Sequence, residues 1–170
     1  SRAINLIAKV PTIVSSWHRI RNGKKIVEPN SDLSHAANFL FMLNGEKPDP
    51  ELERIFDICL ILHADHTLNA STFAAREVAS TRAHMYSAAS AAVGALSGEL
   101  HGGANYEVMR MLLDIKTEEN VESYIKEKFA RNERIMGIGH AVYKTVDQRS
   151  QVLKELSKKL SEKTSQPWYN

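Results

Sequence analysis

One cysteine, no long apolar run and almost no alternation of apolar with polar residues: each scarcity in this chain removes a class of protein. Cys59 stands alone among 170 residues, so no disulfide framework can form, and this usage suits a reducing cytosol or mitochondrial matrix, with a cytoplasmic location expected. It sits in the apolar run from Ile55 to Leu62, a setting that fits a buried thiol better than a nucleophile. No stretch approaches the roughly 18–20 apolar residues of a spanning helix. The nearest, Ala83 to Gly98, carries His, Ser and Gly and reads as a buried helix, so no membrane partner is expected. The start at Ser1, already in helical pattern, reads as a piece of something longer, with no signal-peptide or transit-like leader expected in these residues. Charge of one sign is also lacking. With 22 Lys and Arg against 20 Asp and Glu, and the basic residues scattered instead of interleaved with aromatics, a nucleic-acid partner is not expected. What remains, 43% apolar and 25% charged residues, is the composition of a globular chain with a real core.

Almost every segment has helical periodicity. Ile4, Ile7, Ala8, Pro11 and Val14 mark a first helix to about Arg21, stopped by Gly23 and expected to kink at Pro11. A second runs from Ser34 to Leu43 and closes at Asn44-Gly45. Asp49-Pro50-Glu51 supplies an N-cap, a proline at the first helical position and an early carboxylate, and starts a helix through Leu62. Ser71 is expected to cap a helix from Thr72 to about Thr81. Met85 to Leu96 follows, with small residues at a density that lets helix backbones approach closely; this hairpin is the candidate subunit contact. Beyond Gly98 and Gly102-Gly103 comes a helix with Val108, Met111, Leu112 and Ile115 on its apolar face. Thr117 is expected to cap a charged helix to Arg131, and Asp147 a last one carrying Val152, Leu153, Leu156 and Leu160. Only Arg134 to His140 looks extended or looped. The expected fold class is all-α.

Three histidine-bearing stretches carry the chemistry: His63-Ala-Asp65-His66 followed by Asn69-Ala-Ser71; His101-Gly-Gly-Ala-Asn105; and Gly137-Ile-Gly139-His140-Ala-Val-Tyr-Lys144, ending in Asp147-Gln-Arg149. Imidazole changes charge nearest neutral pH, so three of them beside helix starts and glycine turns suggest proton transfer on an anionic substrate. The first stretch resembles a metal site. It lacks a further ligand, however, and the order Asp65-His66 is the reverse of that in an HD-type phosphohydrolase, so no metal is expected; caps for the neighbouring helices are the plain alternative for Asp65 and His66. In the second stretch the glycines permit a tight turn against a helix start. A helix N-terminus disfavours the imidazolium, so His101 is expected neutral, donating an N–H to a developing enolate oxygen, or else acting as a simple helix cap. In the third, Arg149 stands nine residues after His140, where a guanidinium can grip a carboxylate. A structural loop with a surface arginine is the alternative.

Taken together and in this order, these motifs resemble the citrate synthase family. The similarity extends through Ile13-Val, His18-Arg-Ile-Arg-Asn-Gly23, Leu33-Ser-His-Ala-Ala-Asn-Phe39 and Gly45-Glu-Lys-Pro-Asp-Pro50, nearly the whole chain. The resemblance implies an all-helical homodimer with a large and a small domain, condensing acetyl-CoA with oxaloacetate to citrate, with acetyl-CoA as co-substrate and no permanently bound cofactor. His101 then corresponds to the histidine that stabilises the enol of acetyl-CoA, and His140 to the one that polarises and protonates the oxaloacetate carbonyl. His66 and Arg149 match oxaloacetate-binding positions. The backbone of Ile135, Met136, Gly137, Ile138 and Gly139 corresponds to the CoA adenine site, and Lys144 to a basic residue near a CoA phosphate. Gln148 departs from the family, where proline is common.

The family's catalytic base is an aspartate downstream of the last histidine, and the chain ends at Asn170 before reaching it. The resemblance therefore implies an internal segment, inactive alone. Residues 1–100 would belong to the large domain with the dimer-contact hairpin, and 101–170 mostly to the small CoA-binding domain. A 2-methylcitrate synthase using propionyl-CoA, or a non-catalytic helical dimerisation module, are the rival readings.

Overall fold

The computed structural model describes residues 1–64, 68–139 and 143–165. Among them are eight α-helices, one short 3-10 turn and no strand, so the expected all-α class is what the chain adopts. Residues Ser1–Thr67 and Leu68–Asn170 form two compact units.

The first unit holds α1 (Arg2–Arg21), α2 (His35–Asn44) and α3 (Pro50–Ala64). The helix α1 runs unbroken through Pro11. Ser15, 1% exposed, donates its hydroxyl to the Pro11 carbonyl at 2.8 Å, and Thr12 donates to the Met42 sulfur at 3.7 Å; this side of α1 meets α2. Ser34 caps α2 by accepting from the Ala37 amide at 3.1 Å, and its own hydroxyl donates to Glu53 on α3. The connection before α2 lacks regular structure and is pinned by a reciprocal pair: the Asn30 amide donates to Asn38 Oδ1 at 3.0 Å, and Asn38 Nδ2 to the Asn30 carbonyl at 2.9 Å. Asp49 Oδ1 accepts from the Glu51 amide at 2.9 Å, so the cap expected for α3 is formed. Phe39 and Phe56 stack with ring centres 5.0 Å apart over a core of Ala36, Ala37, Met42 and Ile55. Cys59, expected to be buried, is only half-buried, one helical turn on from the buried Ile55.

The second unit holds α4 (Ala70–Ser80), α5 (Met85–Leu96), α6 (Gly102–Ile115), α7 (Val121–Ala130) and α8 (Gln148–Thr164). The helices α4 and α5 pack closely against each other, as their small residues allow. Two expected caps are corrected. Asn69, not Ser71, caps α4, its Oδ1 accepting from the Thr72 amide at 2.9 Å, because the chain enters the helix two residues earlier and Ser71 lies inside it. Thr117 makes no capping bond; it opens the 3-10 turn Glu118–Asn120, and α7 begins only at Val121. The Lys116 backbone is left-handed (φ 65°), and Asn120 Nδ2 closes this turn on the Ile115 carbonyl at 2.9 Å. The expected apolar side of α6 buries Ile115, and on α8 Leu156 is buried while Val152 and Leu160 stay exposed.

Candidate active site

His101 is the N-cap residue of α6, with no capping bond of its own. The ring is therefore free to turn elsewhere: its Nε2 lies 2.9 Å from Ser71 Oγ on the first turn of α4. That hydroxyl is in turn 2.8 Å from Asn69 Oδ1, the atom that caps α4. Two helix starts are thus tied together through one histidine, one serine and one asparagine. The glycines after His101 are there for space. Neither has a positive φ, but a Cβ on Gly102 would lie 2.3 Å from the Leu96 carbonyl oxygen, and one on Gly103 would lie 3.1 Å from the Gly98 carbonyl oxygen. The turn that delivers His101 folds back so tightly on the end of α5 that no side chain fits.

The second group of candidate residues lies on and after the glycine loop. Residues 133–139 have no regular helix or strand, as expected, and Gly137 and Gly139 adopt φ of 83° and 85°, a backbone region open mainly to glycine. Gly137 also sits against α6, where an added Cβ would be 3.2 Å from Val108. Ile135 and Met136 are half-buried, Ile138 is 75% exposed and Lys144 is exposed. Asp147 caps α8, its Oδ1 accepting from the Arg149 amide at 2.9 Å. The same carboxylate takes Arg149 Nε at 3.1 Å and Nη2 at 2.6 Å, which raises the guanidinium pKa further and keeps it charged. Arg149 is accordingly held in place at the helix start, with an anion already on one edge of its fork. No hydrogen bond joins it to His101 among the described residues. His66 and His140 lie outside the described residues, as does Asp65.

His63 Nδ1 is 2.6 Å from the Cys59 carbonyl one turn back, so this nitrogen donates to its own helix. Among the described residues no group of three or more His, Cys, Asp or Glu could hold a metal, and no helix is long and apolar enough to cross a membrane.

The profile of the citrate synthase C-terminal domain matches residues 1–170. The chain belongs to the citrate synthase family. A citrate synthase of Synechocystis sp. is 48% identical over 166 residues, 98% of this chain and 42% of that protein. Citrate synthase 2 of Bacillus subtilis is 52% identical over 169 residues, 99% of this chain and 45% of that protein. The crystal structure of citrate synthase from Pyrobaculum aerophilum superposes with a TM-score of 0.86 at 44% identity, over 96% of this chain and 41% of that one. The chain thus spans less than half the length of the citrate synthases it matches.

Two residues at this site were not singled out for it by sequence reasoning. The sequence marks Ser71 as a cap and Asn69 only as part of a motif. The available signal was the Asn-x-Ser spacing directly before a helix: a capping asparagine leaves the residue two positions on free to turn its hydroxyl toward a neighbouring element.

Proposed function

We propose that the chain is a segment of a citrate synthase, an acyltransferase that joins the acetyl group of acetyl-CoA to oxaloacetate and releases CoA, feeding the tricarboxylic acid cycle. What carries this reading is near-50% identity along the entire chain, taken with the three histidine motifs in family order. In the reaction His101 donates an N–H to the thioester oxygen while a carboxylate, placed by the family outside these 170 residues, removes a methyl proton. The resulting enol carbon attacks the oxaloacetate carbonyl, and His140 gives that oxygen its proton. Water then cleaves the thioester, leaving citrate and the free thiol of CoA.

Arg149 and His66 serve the carboxylates of oxaloacetate. A guanidinium held at a helix start by Asp147 is pre-ordered for a second, bidentate anion. The backbone from Ile135 to Gly139 receives the adenine of CoA, and exposed Lys144 its phosphate. Residues 1–100 belong to the large domain and 101–170 mostly to the small one; the working enzyme is a homodimer, cytoplasmic, with acetyl-CoA as co-substrate and no resident cofactor or metal. Without the aspartate, which contributes about 100- to 10,000-fold as a general base, the 170 residues alone are inactive.

The test is thiol release by the product of the whole gene, with oxaloacetate and either acetyl-CoA or propionyl-CoA. Release that needs both substrates and is faster with acetyl-CoA supports the reading. A preference for propionyl-CoA replaces it with 2-methylcitrate synthesis, and no release with either leaves the helical dimerisation module.

A further inference from the structure

We propose that Val108 on α6 is a positioning residue for the glycine loop, setting where residues 135–139 present their backbone to the nucleotide end of an acyl-CoA. The inference rests on the reading of that loop as the adenine site, and it names the side chain that places the site relative to His101.

The loop does not hold itself. Gly137 and Gly139 have positive φ, and the backbone from Ile135 to Gly139 makes no hydrogen bond to the described residues. Its N–H and C=O groups are therefore open to a ligand, but no ladder of backbone bonds fixes the height and angle at which they stand. Packing has to do so. A Cβ built on Gly137 would lie 3.2 Å from Val108 Cγ2 and 4.0 Å from Cγ1, so the valine methyls fill the space that a side chain at Gly137 would need. Val108 is half-buried inside α6. A valine within a helix is confined almost to one rotamer, and its methyls form a fixed wall against which the loop rests.

The helix that carries this wall begins at His101. Val108 follows seven positions later, about two turns and about 10 Å along the axis, with unbroken α-helix between. The histidine that faces the thioester and the loop that receives the nucleotide are thereby registered on one element. An acyl-CoA joins the two groups through its pantetheine arm, so a shift of the loop takes its N–H and C=O groups out of line with the nucleotide while the acyl end stays in place. Val108 touches neither end and acts through the loop backbone.

Thiol release and its competition by adenosine 3′,5′-bisphosphate, which carries the nucleotide end alone, are measured on the product of the whole gene. In Val108→Ala the KM for acetyl-CoA and the inhibition constant of the bisphosphate should rise together about fivefold, the scale of one neutral hydrogen bond. In the same variant kcat and the calorimetric affinity for oxaloacetate should change by less than about twofold, as for a loss of uniform binding. Val108→Ile, which keeps both γ carbons, should restore both constants. Gly137→Ala meets the valine wall and also strains the left-handed backbone; adding Val108→Ala removes the first and leaves the second, so the double variant should have a KM below the product of the two single increases. Unchanged constants in Val108→Ala, a parallel loss of kcat and oxaloacetate affinity, or a double variant at the full product overturns the proposal. If the wild-type protein releases no thiol from acetyl-CoA or propionyl-CoA while the bisphosphate binds with the same dependence on Val108, the citrate synthase reading fails and positioning of a nucleotide loop by Val108 stands.

Discussion

Alanine at Gly102 would place a methyl carbon 2.3 Å from the Leu96 carbonyl oxygen and 3.1 Å from Leu96 Cδ1. The obstruction is backbone at the end of α5, which cannot step aside without moving the turn that carries His101. Gly102→Ala should therefore destabilise by about 1–3 kcal/mol, as overpacking does, and break the His101–Ser71 bond. Calorimetric unfolding together with the ring 15N chemical shifts of His101 checks both, and unchanged ring shifts would show that the turn has slack. Gly94 is the natural control: it lies inside α5 with nothing within 4 Å of an added Cβ, so Gly94→Ala should stabilise by about 0.5–1 kcal/mol through helix propensity alone. The sequence made both glycine pairs visible as turns, yet the two owe their glycines to different causes: Gly137 and Gly139 to positive φ, Gly102 and Gly103 to lack of space. Composition and spacing do not distinguish these. Cys59 is a further residue-scale case. Burial pushes its thiol pKa up, so less thiolate is present at neutral pH and alkylation by iodoacetamide should be slower than for a free cysteine peptide. An equal rate would place the thiol in solvent.

Helix ends show how far local signals reach. Asp49 and Asp147 cap the helices for which the sequence nominates them, because each is a short acceptor followed at once by helical periodicity; Ser34, expected as the first residue of α2, is its cap instead. Thr117 fails because its side chain bonds the Glu119 carboxylate and a 3-10 turn intervenes before α7 begins at Val121, a competition among neighbours that no single residue reveals. The glycine stop after α2 was legible, but its consequence was not. Gly45 has φ 92°, its amide donates to the Phe41 carbonyl at 2.8 Å, and an added Cβ would lie 3.3 Å from Arg19 Nη1. That guanidinium donates to the Leu43 carbonyl at 2.9 Å and to the Lys25 carbonyl, tying the end of α2 to the end of α1. Gly45→Ala is therefore expected to cost about 1–2 kcal/mol for the left-handed backbone, with a further loss as Arg19 is displaced. Met42, 2% exposed, is the core counterpart, and Met42→Ala should cost about 2–5 kcal/mol. Urea unfolding of the two variants tests the order: a cost at Gly45 above that at Met42 would mean that the Arg19 bridge outweighs the core contact.

At the scale of the molecule, the first unit leaves one apolar side of α1 unpacked by α2 and α3. Ser15, Thr12 and Arg19 face α2, but on the other side of α1 Ile7, Val10, Ile13, Val14, Trp17 and Ile20 are 46–63% exposed. Six large apolar residues on one helix side is more than scattered surface hydrophobes, and a contiguous patch of this kind drives association or dye binding. The chain spans 42–45% of the length of the relatives compared, so a longer protein has residues available to cover it. The periodicity of α1 was legible in sequence, whereas which side would be covered was not, since apolar residues lie all round the helix and only the buried Ser15 marks the packed one. The expected outcome is that the 170-residue chain binds a hydrophobic dye and self-associates with rising concentration. Ile13→Lys with Trp17→Lys should suppress both without lowering the unfolding midpoint, because neither side chain contributes to the α1–α2 contact. Dye fluorescence and sedimentation of the two proteins provide the check. A wild-type chain that stays monomeric and dark, or a double variant that unfolds, would show that this side of α1 is already covered within the chain.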